Sequence, residues 1–400
     1  MYRKLLFIVI MAIYMGGAAY ASDWAQFLGP TADSISPEKV ANKNWNANPP
    51  KMLWKTAMSD DGYAGPSIAG GKVFIIDHIG AQSVIKALEL TTGKEVWKFS
   101  YPDAEKPNYG FDRSTPVINK GRVYVLSRFG RVFCLNARDG RQIWSRDIKA
   151  DFGGKLPIWE YSMSPLIDGN KVILCPGGMG AAVVALDKTT GKTIWQGGGN
   201  DQPGYATPQI ATINGQKQYV VFTGVSVIGV DTADGALLWR YLWKTAYDVN
   251  GASVIVSGDT VFLTSSEGTG CALLQITGGK VDPIWASKEM QCLFSSPVLV
   301  NGNIYGIGKP GDLMCLDPKT GKSSWRQPGF EYGSLIAVDG ILIVLSGATG
   351  SLHMVKITPA GYQELGKFIP LGGQSWTAPI LSNGNLIIRN KTMLACFSLK

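Results

Sequence analysis

The residues able to do chemistry are few and scattered. Only two histidines occur, His78 and His353, and neither stands near a serine, cysteine or carboxylate motif. There is no G-x-S-x-G, no H-E-x-x-H and no phosphate-binding glycine loop. Isolated histidines of this kind read as polar surface or core residues rather than general bases. Asp112, Glu160, Asp248 and Glu331 are carboxylates in separate connecting segments. Beside Asn250 they offer oxygen ligands for Ca²⁺, which needs roughly six to eight, but no spacing enforces such a site and no metal is expected. The six cysteines form no C-x-x-C, which excludes haem attachment and a zinc ribbon.

The elements that must position these residues come from an internal repeat. Ala87–Trp97 reads A-L-E-L-T-T-G-K-E-V-W, Ala185–Trp195 reads A-L-D-K-T-T-G-K-T-I-W, and Cys315–Trp325 reads C-L-D-P-K-T-G-K-S-S-W. Weaker copies end at Trp144, Trp239 and Trp285. Each copy makes sense as strand, tight turn, strand. The acid or amide starts a turn by bonding its own backbone. The glycine supplies a positive φ. The tryptophan ends an alternating strand with a large face for packing. A second pattern precedes each copy: Pro, a short apolar strand, a Gly turn and a β-rich strand, starting at Pro66, Pro116, Pro165, Pro208, Pro297 and Pro379. Ser253 and Leu335 stand at that proline position in blades five and seven.

Two strands in each pattern make a four-stranded blade. The tryptophans at 54, 97, 144, 195, 239, 285 and 325 recur at roughly 40 to 50 residues. A seventh blade starts at Leu335, with a degraded motif between Thr358 and Gly366. The eighth, from Pro379, reaches Lys400 before its tryptophan strand. Trp54 is left over at the other end. The expected fold is therefore all-β: an eight-bladed propeller of four-stranded antiparallel blades, with the N-terminal strand completing blade eight. That closure removes an open sheet edge. The expected organisation is a signal peptide at 1–21, an extension at 22–51 and one propeller at 52–400. Cys134, Cys315 and Cys396 share the repeat position held elsewhere by Ala87, Ala185 and Gly229, so they are small core fillers. Cys271 and Cys292 fall together near blades five and six, where a disulfide is expected in an exported protein.

Aligning the blades on their first-strand position, three residues earlier, gives a ring of equivalent residues: Tyr63, Arg113, Ser162, Tyr205, Asn250, Phe294, Tyr332 and Trp376. Five are aromatic. They should rim the central channel on the face of the longer loops. Two readings stay open. The aromatics plug the channel and pack on one another, or Trp376, Tyr63, Tyr205, Phe294 and Tyr332 stack a planar ligand while Arg113 meets an anion.

Arg3 and Lys4, the apolar run Leu5–Ala12 and the Ala19-Tyr20-Ala21 site have the layout of a secretory signal peptide, with cleavage after Ala21. No cysteine follows the apolar run, so no lipid anchor is expected. A periplasmic or secreted protein results. The formal charge is +8, but no basic run of five or more occurs, and nucleic-acid binding is not expected. With 45% hydrophobic and 17% charged residues, the chain is not a disordered one.

On its repeat, the sequence resembles the pyrroloquinoline-quinone (PQQ)-like propeller proteins, whose eight blades carry the motif A-x-D-x-x-T-G-x-x-x-W. Asp23-Trp24-Ala25-Gln26-Phe27-Leu28-Gly29-Pro30 also resembles the W-x-x-F-x-G-P start of an exported bacterial branch. The resemblance covers essentially all of the chain after residue 21. It implies the fold directly, and function only through a site. The family includes quinoprotein alcohol dehydrogenases and the propeller lipoprotein of the outer-membrane β-barrel assembly machinery. The dehydrogenases' adjacent cysteine pair and haem domain are absent, and their calcium ligands have no match by motif. The lipoprotein's lipidated cysteine is absent too. The leading expectation is a binding or scaffold propeller of the cell envelope that contacts envelope proteins. The resemblance also implies a PQQ- and calcium-dependent oxidoreductase as an alternative. Exposed aromatics suit a third, a propeller that binds carbohydrate or another polymer.

Overall fold

The computed structural model describes residues 23–59 and 62–400; the expected signal peptide and its cleavage site lie outside them. The chain folds as eight consecutive antiparallel meanders. In blade three, for example, the strands Leu166–Asp168, Lys171–Leu174, Val183–Asp187 and Thr193–Gly197 run outward in order. Blade eight takes its outermost strand, Lys51–Ala57, from the other end of the chain, pairing Trp54 with Cys396. The ring is closed as the leftover Trp54 predicts. Among the described residues the helical elements, Ile148–Asp151 and Ala246–Asp248, are single turns in loops.

The blades are held together at the repeat's tryptophan and glycine. Trp54 lies against Gly93 of blade one, Trp97 against Gly140, Trp144 against Gly191, Trp195 against Gly235 and Trp285 against Gly321. At each of these glycines a Cβ would approach the indole to between 2.5 and 2.8 Å. Each glycine also has positive φ, from +68° to +81°, so both space and backbone demand it. Trp54 Nε1 donates to Leu90 O (2.7 Å), Trp97 Nε1 to Ala137 O (3.1 Å), Trp144 Nε1 to Lys188 O (3.1 Å) and Trp285 Nε1 to Pro318 O (2.7 Å). Within its own blade most of these tryptophans face a small residue, Trp285 being opposite Leu273. Trp144 pairs with Cys134, Trp195 with Ala185, Trp239 with Gly229 and Trp325 with Cys315. The buried cysteines at these positions are the fillers the repeat predicts.

Blade seven breaks the pattern. Gly366 pairs with Met354 where the other blades place tryptophan. Trp45, from the segment before blade eight's outer strand, covers that place instead. It is 1% exposed, meets Phe368 edge-on at 5.4 Å and donates Nε1 to Asn42 O. A Cβ on Gly366 would come within 3.0 Å of the Trp45 Cβ. An indole from another part of the chain thus fills the place the repeat lost.

Residues 23–50 are accordingly built into the ring. Trp24 bridges Ile68 on the inner strand of blade one, and Ile118 N of blade two donates to Ala25 O at 2.8 Å. Ile35–Ser36 then adds a fifth, parallel strand to the inner edge of blade seven, opposite Ala337 and Val338. The W-x-x-F-x-G-P start is explained here: Gly29, at φ +83°, leaves room for the Trp24 ring, which a Cβ would approach to 2.8 Å. The strap then leaves the axis. Lys39 and Lys43 pair with Asp339 at 2.8 and 2.6 Å, and Glu38 accepts Gly384 N at 2.8 Å.

Replacing Trp45 by alanine should destabilise the ring as a docking tryptophan does, by about 3–5 kcal/mol. Denaturant unfolding of Trp45→Ala beside Trp97→Ala checks this. A change near zero for Trp45→Ala would show that the strap is dispensable.

Candidate functional site

In each meander, the inner turn and the Thr-Gly turn lie on one face. The loops between blades and the middle hairpins lie on the other. On that loop face an axial cavity of about 430 Å³ opens. Seven of the eight residues expected at the rim line it: Tyr63, Arg113, Ser162, Tyr205, Phe294, Tyr332 and Trp376. Asn250 does not. Its amide is buried, with Nδ2 donating to Thr223 O (2.8 Å) and Oδ1 accepting from Ser265 Oγ (2.8 Å). Trp24, Phe27, Leu28 and Ser34 of the strap reach the cavity from the inner strands.

The rim aromatics pack on one another around Trp376. Its ring lies 4.9 Å from Tyr63, 4.9 Å from Tyr332, 5.5 Å from Phe294 and 6.2 Å from Tyr109. A second group gathers on Trp159, with Tyr205 at 5.9 Å and Tyr247 at 6.0 Å. Burial pushes the Tyr205 phenol above its ordinary pKa. Tyr109, Trp159 and Tyr247 sit outside the aligned repeat position, in loops of unequal length. Repeat alignment could not find them; the only signal was aromatic residues inside long loops of this face.

Arg113 was expected to be open to an anion, and its side chain is otherwise engaged. Nη1 pairs with Glu160 at 3.0 Å and donates to Trp159 O, and Nε donates to Tyr109 O at 3.1 Å. It therefore fastens two aromatic loops to each other. Glu160 also bonds Arg128 at 3.1 Å, and Arg128, 1% exposed, holds Asp103 through Nε (2.9 Å) and Nη2 (2.5 Å). Asp112 lies behind this chain. It accepts from Tyr101 Oη (3.0 Å), Ser83 Oγ (2.5 Å) and Arg128 N (2.9 Å). Burial dominates and raises its pKa.

The remaining chemical residues are not brought together. Asp248 bonds Gln202 Nε2, and Glu331 is exposed beside Gly311. Among the described residues no group of three or more His, Cys, Asp or Glu could hold a metal ion. His78 is buried, stacked on Phe111 at 3.5 Å, with Nε2 2.7 Å from Asp103 O. His353 lies between Ser351 Oγ (2.9 Å) and Glu364 Oε2 (2.7 Å), the order of a nucleophile, base and acid. Ser351 is shared with Thr349 Oγ1 at 2.8 Å, and neither cavity on the loop face includes these residues.

The expected disulfide is not formed: Cys271 and Cys292 are both free and buried. Strand register explains this. Cys271 pairs with Thr264 and Ser287 across its two neighbours, with Sγ 3.3 Å from Ser287 Oγ. Cys292 N instead donates to Thr264 Oγ1 at 3.1 Å. Burial pushes the Cys292 thiol up to about 12, which keeps it protonated and unreactive.

The class defined by this ring is the PQQ-like eight-bladed propeller. The family profile described as "Outer membrane protein assembly factor BamB" matches residues 80–327, and the chain belongs to that family. A relative named outer membrane protein assembly factor BamB, from Xanthomonas campestris, is 26% identical, covering 98% of this chain and 96% of its own. A quinoprotein ethanol dehydrogenase from Pseudomonas putida is 28% identical, over 30% of this chain and 21% of its own. Among solved structures, BamB from Moraxella catarrhalis superposes with a TM-score of 0.63 at 17% identity, covering 87% of this chain and 99% of that one. A europium-containing methanol dehydrogenase superposes with 0.69 at 12% identity, covering 94% and 98%. At these identities the two superpositions establish the fold alone.

The cavity residues do not fit the quinone after which the repeat is named. PQQ is a planar tricarboxylate that requires cations around it. Among the described residues the charged ones of the cavity wall are Arg113, Glu267 and Lys309. The first is engaged by Glu160, and the other two pair with each other. Trp376, the natural stacking floor, already has four aromatic neighbours.

The Asp112 carboxyl gives a pH signature. Its folded pKa is raised above the ordinary value of about 3.9, so the folded state holds more protons in that window. Its contribution is complete below the unfolded pKa and is lost as pH rises through the folded one. Asp112→Asn keeps acceptor and donor positions for the two hydroxyls and Arg128 N. The variant should therefore gain stability relative to wild type as pH rises from about 4 to neutrality. Denaturant titrations of both proteins across that range measure the difference. A pH-independent difference would contradict the assignment.

Proposed function

We propose that this protein is an exported propeller of the cell envelope that binds partner proteins in outer-membrane assembly. The observation that carries the reading is the reach of the likeness. One relative described as an outer membrane assembly factor matches 98% of the chain and others 63–85%, whereas the quinoprotein ethanol dehydrogenases match 30–36% of it. The chemistry of the site supports it, because the channel wall is aromatic and its charges are internally paired.

The surface for partners on this reading is the loop face. Exposed apolar side chains gather there in connections between blades and in a middle hairpin: Ile158 and Tyr109 at 55%, Tyr247 at 64%, Ile369 at 69% and Met179 at 88%. Such residues are what protein contacts desolvate most favourably. They stand on loops fixed by a rigid ring, the usual place for binding residues. The expected address is the periplasm or the medium, after removal of the leader.

Deleting the gene should lower the amount of β-barrel proteins in the outer membrane. Wild-type protein should restore it, and Ile158→Asp/Met179→Asp should not, although it folds as judged by circular dichroism and melting. Quantitative proteomics of outer-membrane fractions reads the result. Unchanged barrel levels in the deletion strain would overturn the assembly role. Full rescue by the double variant would move the binding surface elsewhere.

A further inference from the structure

The axial cavity has a composition that partner binding on the outer loops does not require. At about 430 Å³ it falls within the roughly 300–1,000 Å³ of small-molecule sites. Its wall combines aromatic rings with hydroxyls, among them Thr115, Ser162, Thr207, Ser296 and Ser334. Most of the hydroxyls that lace the inner strands have partners. Ser164 N donates to Thr207 Oγ1 at 2.9 Å, and Ser253 N to Ser296 Oγ at 3.0 Å. Ser334 Oγ differs. The residue is 4% exposed, it lines the cavity, and its hydroxyl has no hydrogen-bond partner among the described residues. A buried hydroxyl left so carries a desolvation penalty that a ligand would remove.

The mouth is shaped by backbone that is held against its preference. Tyr247 and Tyr332 both line the cavity, are 64% and 44% exposed, and have φ of +65° and +54°. Bulky residues rarely adopt this left-handed conformation, and it clusters at ligand clamps. Glu160, which fixes Arg113 to the Trp159 loop, shares it at φ +56°. Two exposed rings are thus presented at the entrance by strained backbone, above a wall whose charges, among the described residues, are paired.

From this geometry we infer that the axial cavity binds a neutral saccharide. Sugar rings have an apolar C–H face that lies on tyrosine or tryptophan and hydroxyls that exchange hydrogen bonds with serine and threonine. A neutral sugar carries no charge that the paired wall would leave unmet. Tyr247 and Tyr332 would receive the ring faces at the mouth, and Ser334 would bond a sugar hydroxyl inside. The site shares Tyr247 with the loop surface but not Ile158 or Met179, so the Ile158→Asp/Met179→Asp variant separates the assembly role from sugar binding.

The test uses the full chain after residue 21, with maltotriose and N,N′-diacetylchitobiose as neutral probes. Binding is followed by saturation-transfer NMR and by tryptophan fluorescence, which Trp376 and Trp159 make sensitive to the cavity. Saturable binding of either probe, weakened about tenfold in Tyr247→Ala and in Ser334→Val, supports the proposal. Tyr247 is exposed, so its replacement leaves the fold intact, and melting confirms this for both variants. No binding of either sugar into the millimolar range overturns it. So does binding of neutral N-phenyl-1-naphthylamine that the sugars fail to displace, which would mark an apolar site. Sugar binding indifferent to both substitutions would also overturn it, by placing the sugar elsewhere.

Discussion

An indole laid on a glycine of the next blade is the contact on which this ring depends. It joins three requirements in one place. The turn needs positive φ, the ring needs the absent Cβ, and the N–H meets a carbonyl that the same turn presents, as at Trp54, Gly93 and Leu90, though not at Trp195, whose Nε1 has no partner among the described residues. A blade alone would leave its tryptophan face wet. Stacked blades bury a shared core, so closure is obligatory rather than incidental. The contact also shapes what lies beneath the indole: Ala, Gly or Cys stands across the strand from six of the docking tryptophans, and Leu273 from Trp285.

Where that contact fails, another part of the chain replaces it. Gly366 removes the indole of blade seven, next to the blade in which the two chain ends meet. Trp45 arrives from the strap and packs there. The strap thereby becomes a structural member: one end lies along the inner strands and contributes to the axial cavity, and the other fills the blade junction that lost its indole. Closure and cavity are linked through one stretch of backbone. The Asp339 carboxylate, bonded to Lys39 and Lys43 and so held below the ordinary carboxylate range, fastens it between those two ends.

The ring was legible in the sequence because its determinants are periodic. Tryptophan, glycine and the small residue beneath recur together, so the blade count and the closing strand follow from spacing alone. The rim position was legible for the same reason. It reached seven residues of the cavity wall and missed Asn250, whose amide is drawn into a blade by carbonyls that only the fold brings near. What is not periodic was hidden. Tyr109, Trp159 and Tyr247 belong to loops that share no register with the repeat. The engagement of Arg113 depends on Glu160, some forty-seven positions away. The Cys271–Cys292 pairing failed because nearness along a blade says little about register: Cys271 is directed toward Ser287.

The same distinction bears on how one fold serves different ends. The repeat constrains the outer strands and turns so tightly that they carry no information about function. Freedom remains in the loops of the opposite face and in the inner position that opens onto the axis. In this chain that freedom has produced loops tied together by Arg113 and Glu160, and tyrosines held at positive φ over an aromatic cavity. A dehydrogenase needs free cations and clustered carboxylates at that place, and here the charges are matched in pairs within the wall. Changing the chemistry would require unpairing them, and at the largely buried Arg113–Glu160 pair the charge left behind would be uncompensated and destabilising. The paired charges thus leave this wall without a ready partner for a charged group.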